Sequence, residues 1–204
     1  MKIKYILVVL FFLANLKGSY AQSSIKMSVK YGADSEELME TLDFQDIYVE
    51  KLSFEGQDLK GKYVEINIQE YKKGKLVSKK NLFDASEDEY FRIDSTSTYI
   101  KFFCSMTDET LKTFIRGKQY GSRKEKFVLQ KGSGEYLLKD FLGNKKFLDV
   151  PINEEFAVFA ILTPKVNEDG SSSYCEVVQS EVKPEELGKH FKIPHYFLIT
   201  MKFK

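Results

Sequence analysis

The chain has 204 residues and carries 31 basic against 30 acidic side chains, which gives a formal charge of +1. This near balance gives no overall electrostatic argument for a nucleic-acid or anionic-membrane partner. The length is sufficient for one domain with a sizeable core, and the sequence contains no internal repeat and no low-complexity run.

Residues 1–21 have the features of a secretory signal peptide. A short cationic start, MKIKY, precedes the apolar run ILVVLFFLANL, and small residues stand at Ser19 and Ala21, the two positions that a signal peptidase reads. The run is shorter than the roughly 20 apolar residues that span a bilayer, so the alternative is a buried N-terminal helix. The pattern predicts cleavage after Ala21.

The mature protein would then begin at Gln22 and form a single β-rich domain over residues 22–204. Its formal charge would fall to −2 through the loss of Lys2, Lys4 and Lys17. No cysteine lies near the cleavage position, and no later apolar run is long enough to cross a membrane. We therefore expect an exported protein, periplasmic or extracellular, that is soluble without a lipid anchor.

The two cysteines of the chain are Cys104 and Cys175. In an exported protein they could form a disulfide, which would stabilise the fold by at most about 4 kcal/mol on the chain-entropy model. The alternative is two separate buried thiols, because a domain of this size does not need a covalent cross-link.

Alternating apolar side chains predict β-strands along most of the chain. YVEINIQEY has one apolar and one polar face, and Tyr63 and Tyr71 fall on the polar face, where exposed rings could form a glycan platform. IYVEKLSF predicts a strand with a bulge between Val49 and Leu52, where the apolar phase shifts. TYIKFFCSM and HYFLITMKF show the same alternation.

FAVFAIL is apolar on both faces, which predicts a central strand with SYCEVVQSEV as its partner. EYKKGKLVSKK follows a strand-like run and predicts a hairpin, because Gly74 supplies the positive φ of a tight turn and lysines discourage aggregation at a sheet edge. EYLLKDFLGNKKFLDV fits either a hairpin around Gly143 or a helix that ends there, and the hairpin is favoured.

Helices are expected to be few. In MTDETLKTFIRG, a capping Thr107, an acidic first turn and a terminating Gly117 predict a helix. DSEELMETL, Asp34 to Leu42, is a shorter candidate, and Pro184 to Gly188 could form one turn. Many short strands without βαβ alternation favour an antiparallel, Greek-key-like β-sandwich with one to three short helices. The alternative is a β-barrel-like α+β fold.

The usual catalytic and cofactor signatures are absent from the sequence. It has no phosphate-binding glycine loop, no G-x-S-x-G elbow and no C-x-x-C pair. His190 and His195 lie five residues apart without a further good ligand nearby, so a structural role is favoured for His195. The acidic runs DASEDE and NEDGSSS lack EF-hand spacing. No catalytic residue, metal or cofactor is therefore predicted.

Basic side chains concentrate in two segments. Residues 71–80 hold five lysines and no acid, and residues 112–131 hold seven basic side chains against the single acid Glu125. If folding brings both segments to one face, they form a positive field on a slightly acidic protein. The candidate binding residues are Arg116, Lys118, Arg123, Lys124, Lys73 and Lys75. The alternative is two unrelated solvated turns.

The chain resembles the small uncharacterised secreted or envelope proteins of Bacteroidetes-type bacteria in three features. These are the leader ending in SYAQ, the Lys-, Asn- and Phe-rich mature chain, and the tyrosine-rich β domain with its KKGK turn. The resemblance is one of style over the whole chain and rests on no diagnostic motif. It implies export and a β-sandwich, and it carries over no catalytic or binding residue.

These observations predict an exported, non-catalytic β-sandwich that binds or scaffolds. Its ligand is unknown, with an acidic glycan or an envelope protein as candidate partners and nucleic acid not expected. The alternative is a secreted hydrolase with a dispersed carboxylate or histidine site.

Overall fold

The structure, a computed structural model, describes residues 24–132, 134–167 and 170–204. The predicted signal peptide, residues 1–21, and the start of the mature chain at Gln22 lie outside these residues. So do two residues of the acidic run NEDGSSS, Glu168 and Asp169.

One antiparallel sheet has six strands in the order β7-β6-β5-β2-β1-β9. The strands β2 and β5 are neighbours in this sheet, although the residues between them in the chain, 56–96, contribute a hairpin to the other sheet. The bounds of the six strands are β1 Ser24–Tyr31, β2 Ile47–Glu55, β5 Ser97–Thr107, β6 Thr110–Gly117, β7 Glu125–Val128 and β9 Leu148–Pro151.

The second antiparallel sheet has five strands in the order β4-β3-β13-β10-β8. Its strands are β3 Val64–Lys72, β4 Lys75–Asp84, β8 Leu137–Asp140, β10 Phe156–Leu162 and β13 His195–Phe203. A small hairpin follows β10 and is formed by β11 Lys165–Val166 and β12 Ser172–Ser173.

Helical segments are short among the described residues. The α-helices are α1 Glu36–Phe44, α2 Cys175–Val178 and α3 Leu187–His190, and the 3-10 turns are Gln57–Leu59, Ala85–Glu87, Glu89–Phe91 and Pro184–Glu186. Ser35 caps α1 by accepting a hydrogen bond from the Leu38 amide. The helix predicted from DSEELMETL and the turn predicted at Pro184 are both present. No helix in the described part of the chain has the length and apolar character needed to cross a membrane.

The main core lies between the two sheets. Phe54 of β2 meets Phe203 of β13 with ring centroids 5.0 Å apart, and Phe102 of β5 meets Phe159 of β10 at 5.3 Å. All four rings are buried. The two large sheets with one shared core confirm the predicted antiparallel β-sandwich.

A second apolar cluster lies on the outer face of the five-stranded sheet. Tyr71 of β3 stacks on Tyr196 of β13 with centroids 4.8 Å apart, and Val177 and Leu187 of the short helices belong to the same buried cluster. The prediction that Tyr71 is exposed and available to a glycan is therefore wrong, because the segment after β12 covers it; Tyr63 is half-buried.

The segment predicted as a helix from Thr107 to Gly117 is instead the end of β5, a tight turn and β6. Asp108 and Glu109 both have positive φ, 50° and 58°, which is the geometry of a two-residue hairpin turn. The turn allows the two strands to pair over eight positions, and this cross-strand pairing outweighs the local capping signals.

Two predicted strand partnerships are also wrong. SYCEVVQSEV does not pair with β10, which lies between β13 and β8, and part of it forms α2 so that Val177 and Val178 can cover the sheet. EYLLKDFLGNKKFLDV contains two strands, but β8 and β9 join opposite sheets and form no hairpin.

The bulge predicted in β2 is absent, because the register with β1 and β5 is continuous. The apparent shift in apolar phase arises because Glu50 occupies an inward position between Tyr48 and Leu52. The hairpin predicted at Lys73 and Gly74 is present, with φ of 50° and 70°, and β4 is an edge strand as the lysines indicate.

Candidate functional site

The outer face of the six-stranded sheet carries four cations at directly opposed positions, here called the cation row. Lys30 of β1 is paired with Lys51 of β2. Lys51 is paired with Lys101 of β5, and Lys101 with Arg116 of β6. The Cβ atoms of directly opposed residues lie about 5 Å apart, and like charges at such positions destabilise a sheet. Three interstrand steps make the row about 14 Å long.

Strand alternation fixes the outward direction of these side chains. Leu52, Ile100 and Ile115, which follow or precede members of the row by one position, are fully buried. The cation row therefore lies in solvent, and its repulsion is not offset by any gain from core packing.

Among the described residues, Asp34 offsets part of this charge. Lys30 forms an ion pair with Asp34, and the Lys51 ammonium lies 4.7 Å from the centre of the Tyr99 ring. Hydrogen bonding to Lys30, followed by the charges of Lys30, Lys51 and Lys101, lowers the pKa of Asp34. Lys101 and Arg116 have no carboxylate partner within 4.0 Å in the described part of the chain.

Two further rows run alongside the cation row. On one side, Ser28, Ser53 and Tyr99 are paired in register and form a hydroxyl row. Their hydroxyl groups make no hydrogen bond within the described ranges. On the other side, Val49, Phe103 and Phe114 are paired in register and form an apolar row. All six side chains are half-buried, so their outer surfaces remain accessible.

A surface cleft of about 310 Å³ opens beside Phe103 and Phe114. Lys112 and Lys124 line its far side, and Lys126 is paired with Lys112 across β6 and β7. The apolar row is thus bordered by cations on both sides. An anion that also has an apolar surface could contact the ring faces and the ammonium groups together.

The outer face of the five-stranded sheet differs because its charges are compensated. Glu155 accepts hydrogen bonds from Asn67, Gln69 and Thr200 and forms an ion pair of 2.8 Å with Lys79. Lys204 bridges to two carboxylates at the same face, those of Glu65 and Asp84. Among the described residues, this face has no comparable excess of either charge, so the cation row is the better candidate for binding.

The predicted binding residues are distributed over both sheets. Arg116 belongs to the cation row, and Lys124 lines the cleft. Nζ of Lys118 lies 3.9 Å from Oδ1 of Asp94. Arg123 lies in the connection to β7. Lys73 and Lys75 lie in the β3–β4 hairpin of the other sheet.

The two basic segments come into contact at the edges of the sheets. Lys80 of β4 forms an ion pair of 2.6 Å with Glu125 of β7. The lone acid of the second segment therefore forms an ion pair that connects the two edge strands. The sequence prediction missed Lys30, Lys51 and Lys101, because only the strand register brings them beside Arg116.

The buried side chain of His195 belongs to a chain of hydrogen bonds. Its Nδ1 lies 2.6 Å from the Tyr136 hydroxyl and its Nε2 lies 3.1 Å from Oε1 of Glu70. Burial lowers the pKa of His195, so the neutral ring accepts from Tyr136 and donates to Glu70. Burial would raise the pKa of Glu70, but hydrogen bonds from Lys72, Ser78 and His195 hold it below its ordinary value. Both ring nitrogens are thus engaged, which agrees with a structural role.

The change His195→Phe should lower the free energy of unfolding by about 2–4 kcal/mol, because it removes the hydrogen bonds that the buried ring makes to Tyr136 and Glu70. Urea unfolding at pH 7.5 measures this difference. His190 is exposed, so His190→Phe is the matched control and should change stability by less than about 0.5 kcal/mol. Equal effects of the two variants would contradict a structural role for His195.

Glu50 is the other unusual titratable group. It is 5% exposed, and its Oε2 is buried without a hydrogen-bond partner. Burial raises its pKa to about 8, against the opposing charge of Lys139. Burial, together with the charge of Glu50, also raises the pKa of the Cys104 thiol to about 12. Glu50 and Cys104 are both buried inside the sandwich, and neither belongs to the cation row.

The cysteines are both free thiols in the structure, with Cys104 buried and Cys175 exposed. Within the described ranges, no three His, Cys, Asp or Glu side chains are grouped so that they could hold a metal ion. Asp84 and Asp88 of the run DASEDE cap short 3-10 turns by accepting from backbone amides.

Comparison with known proteins returns no match to a protein family, to a curated protein or to a solved structure.

Proposed function

We propose that the protein is a non-catalytic binding module that holds an anionic partner on the outer face of its six-stranded sheet. The cation row is the observation that supports this proposal. Four like charges at directly opposed positions work against the stability of the sheet, and only Lys30 has a carboxylate partner among the described residues. An anionic ligand would convert this repulsion into binding energy.

Export belongs to the same proposal and rests on the features of residues 1–21. A binding module released from the cytoplasm would meet acidic glycans and the acidic surfaces of envelope proteins. The alternative of a secreted hydrolase draws no support from His195, because both of its ring nitrogens are already hydrogen-bonded.

Retention on a dextran sulfate resin tests the proposal. The fourfold variant Lys30→Gln, Lys51→Gln, Lys101→Gln and Arg116→Gln should pass through the column at about 0.05 M salt, whereas the unmodified protein should be retained. Retention should weaken as salt rises through about 0.15 M, where charges are screened beyond about 8 Å. The variant should melt at the same temperature or slightly higher, because like-charge repulsion is removed.

The control variant replaces four exposed lysines elsewhere with glutamine: Lys60, Lys73, Lys75 and Lys145. It has the same net charge as the first variant and includes the two hairpin lysines. It should be retained like the unmodified protein. Equal loss of retention in both variants would show that only net charge matters, and equal retention of both would show that the cation row binds nothing. Either result would overturn the proposal.

A further inference from the structure

The three parallel rows on the outer face of the six-stranded sheet restrict the chemistry of the anion, an inference that rests on the proposed function. A cation row alone would suit any polyanion. Here a row of free hydroxyl groups (Ser28, Ser53, Tyr99) lies on one side of it and an apolar row (Val49, Phe103, Phe114) on the other. The strand register makes the three rows run in the same direction, across the strands.

We propose that this face binds a linear acidic polysaccharide whose chain lies across the strands. Carboxylate or sulfate groups of successive sugars would contact the cation row over its length of about 14 Å. Sugar hydroxyls would exchange hydrogen bonds with the hydroxyl row, and the C–H faces of the rings would pack on Phe103 and Phe114 in the cleft of about 310 Å³.

Other polyanions match only part of this face. Polyphosphate oxygens could contact the cation row and accept hydrogen bonds from the hydroxyl row, but polyphosphate has no apolar surface with which to contact the apolar row. Single-stranded nucleic acid requires ring faces on which successive bases stack. Phe103 and Phe114 are inclined at 46° to each other, so two successive parallel bases could not stack on both rings. The acidic polysaccharide is the class that uses all three rows.

Calorimetric titration with three probes tests the assignment: oligogalacturonate, inorganic polyphosphate of the same charge, and single-stranded DNA of the same charge. Oligogalacturonate should bind at least about tenfold more tightly than the other two, because the C–H faces of its sugars add apolar contacts with Phe103 and Phe114. Fully methyl-esterified oligogalacturonate, which lacks the charge, should not bind measurably.

The variant Ser28→Ala, Ser53→Ala and Tyr99→Phe removes the hydroxyl row and leaves every charge in place. It should weaken oligogalacturonate binding about tenfold, because the sugar chain loses its hydrogen bonds to the three hydroxyl groups. Its melting temperature should match that of the unmodified protein, which confirms that the fold is intact.

The results also separate this inference from the proposed function. If all three polyanions bind with equal affinity, or if the hydroxyl-row variant binds all of them like the unmodified protein, the polysaccharide assignment is overturned and anion binding remains. The same holds if DNA or polyphosphate binds most tightly. If the cation-row variant binds all three probes like the unmodified protein, the proposed function fails as well.

Discussion

Removal of residues 196–204 should abolish cooperative unfolding. These residues form most of β13, the central strand of the five-stranded sheet, and six of their side chains are fully buried: Tyr196, Phe197, Leu198, Ile199, Met201 and Phe203. Burial of such side chains stabilises by about 1.5–3 kcal/mol each, so their sum of about 9–18 kcal/mol is as large as a typical folding free energy of about 5–15 kcal/mol. Circular dichroism during urea titration should show no sigmoidal transition.

A single substitution in the same strand should give a measurable change in the free energy of unfolding. Phe203 packs against Phe54 of the opposite sheet, so Phe203→Ala should lower the free energy of unfolding by about 3–5 kcal/mol. Lys202 is partly exposed on the other face of the strand, and Lys202→Ala is the matched control with a change of less than about 0.5 kcal/mol. A truncated protein that melts cooperatively near the full-length temperature would show that β13 is not an essential strand.

The stability of the protein should fall as the pH rises from 6.5 to 8, and Glu50 is the cause. Burial raises its pKa from 4.5 to about 8, so the folded state keeps a proton that the unfolded chain releases above pH 4.5. The unfolded state then binds fewer protons, and stability decreases by up to about 1.4 kcal/mol per pH unit, with a smaller slope near pH 8. The expected loss between pH 6.5 and 8 is about 1.6 kcal/mol.

The titration of His195 sets the lower limit of this pH interval. Its pKa is lowered by burial, so the unfolded chain binds a proton below pH 6.5 that the folded state does not. Stability therefore rises with pH in that range and partly cancels the effect of Glu50. The carboxylates with lowered pKa, such as Glu155 and Glu65, act only below about pH 4.5. Between pH 6.5 and 8 the contribution of Glu50 is therefore larger than those of these groups.

The variant Glu50→Gln should remove the decline, because the amide resembles the protonated carboxyl and does not titrate. Chemical denaturation at several pH values measures the slope. Glu55 is exposed at the end of the same strand, so Glu55→Gln should keep the slope of the unmodified protein. If the curves of Glu50→Gln and the unmodified protein stay parallel between pH 6.5 and 8, the buried carboxyl is not protonated in the fold.

The same residue shows where a local pattern misleads. The apolar phase of IYVEKLSF shifts at Glu50, and a bulge is the ordinary interpretation of such a shift. The register with both neighbours is continuous, and an acid simply occupies an inward position. A sequence pattern assumes that inward residues are apolar, so it fails where a buried group is polar and protonated.

The amino-acid sequence by itself determined the antiparallel sandwich, the β3–β4 hairpin and the strand at residues 195–203. The period-two alternation of apolar side chains and the conformational preference of Gly74 are local properties that need no partner. Only the tertiary structure decided that residues 110–117 form a strand and that Tyr71 is buried, because β5 and the helical segment after β12 supply the contacts. It also decided the candidate site. Lys30, Lys51, Lys101 and Arg116 are separated in sequence by 21, 50 and 15 residues, and only the register of four paired strands brings them into one row.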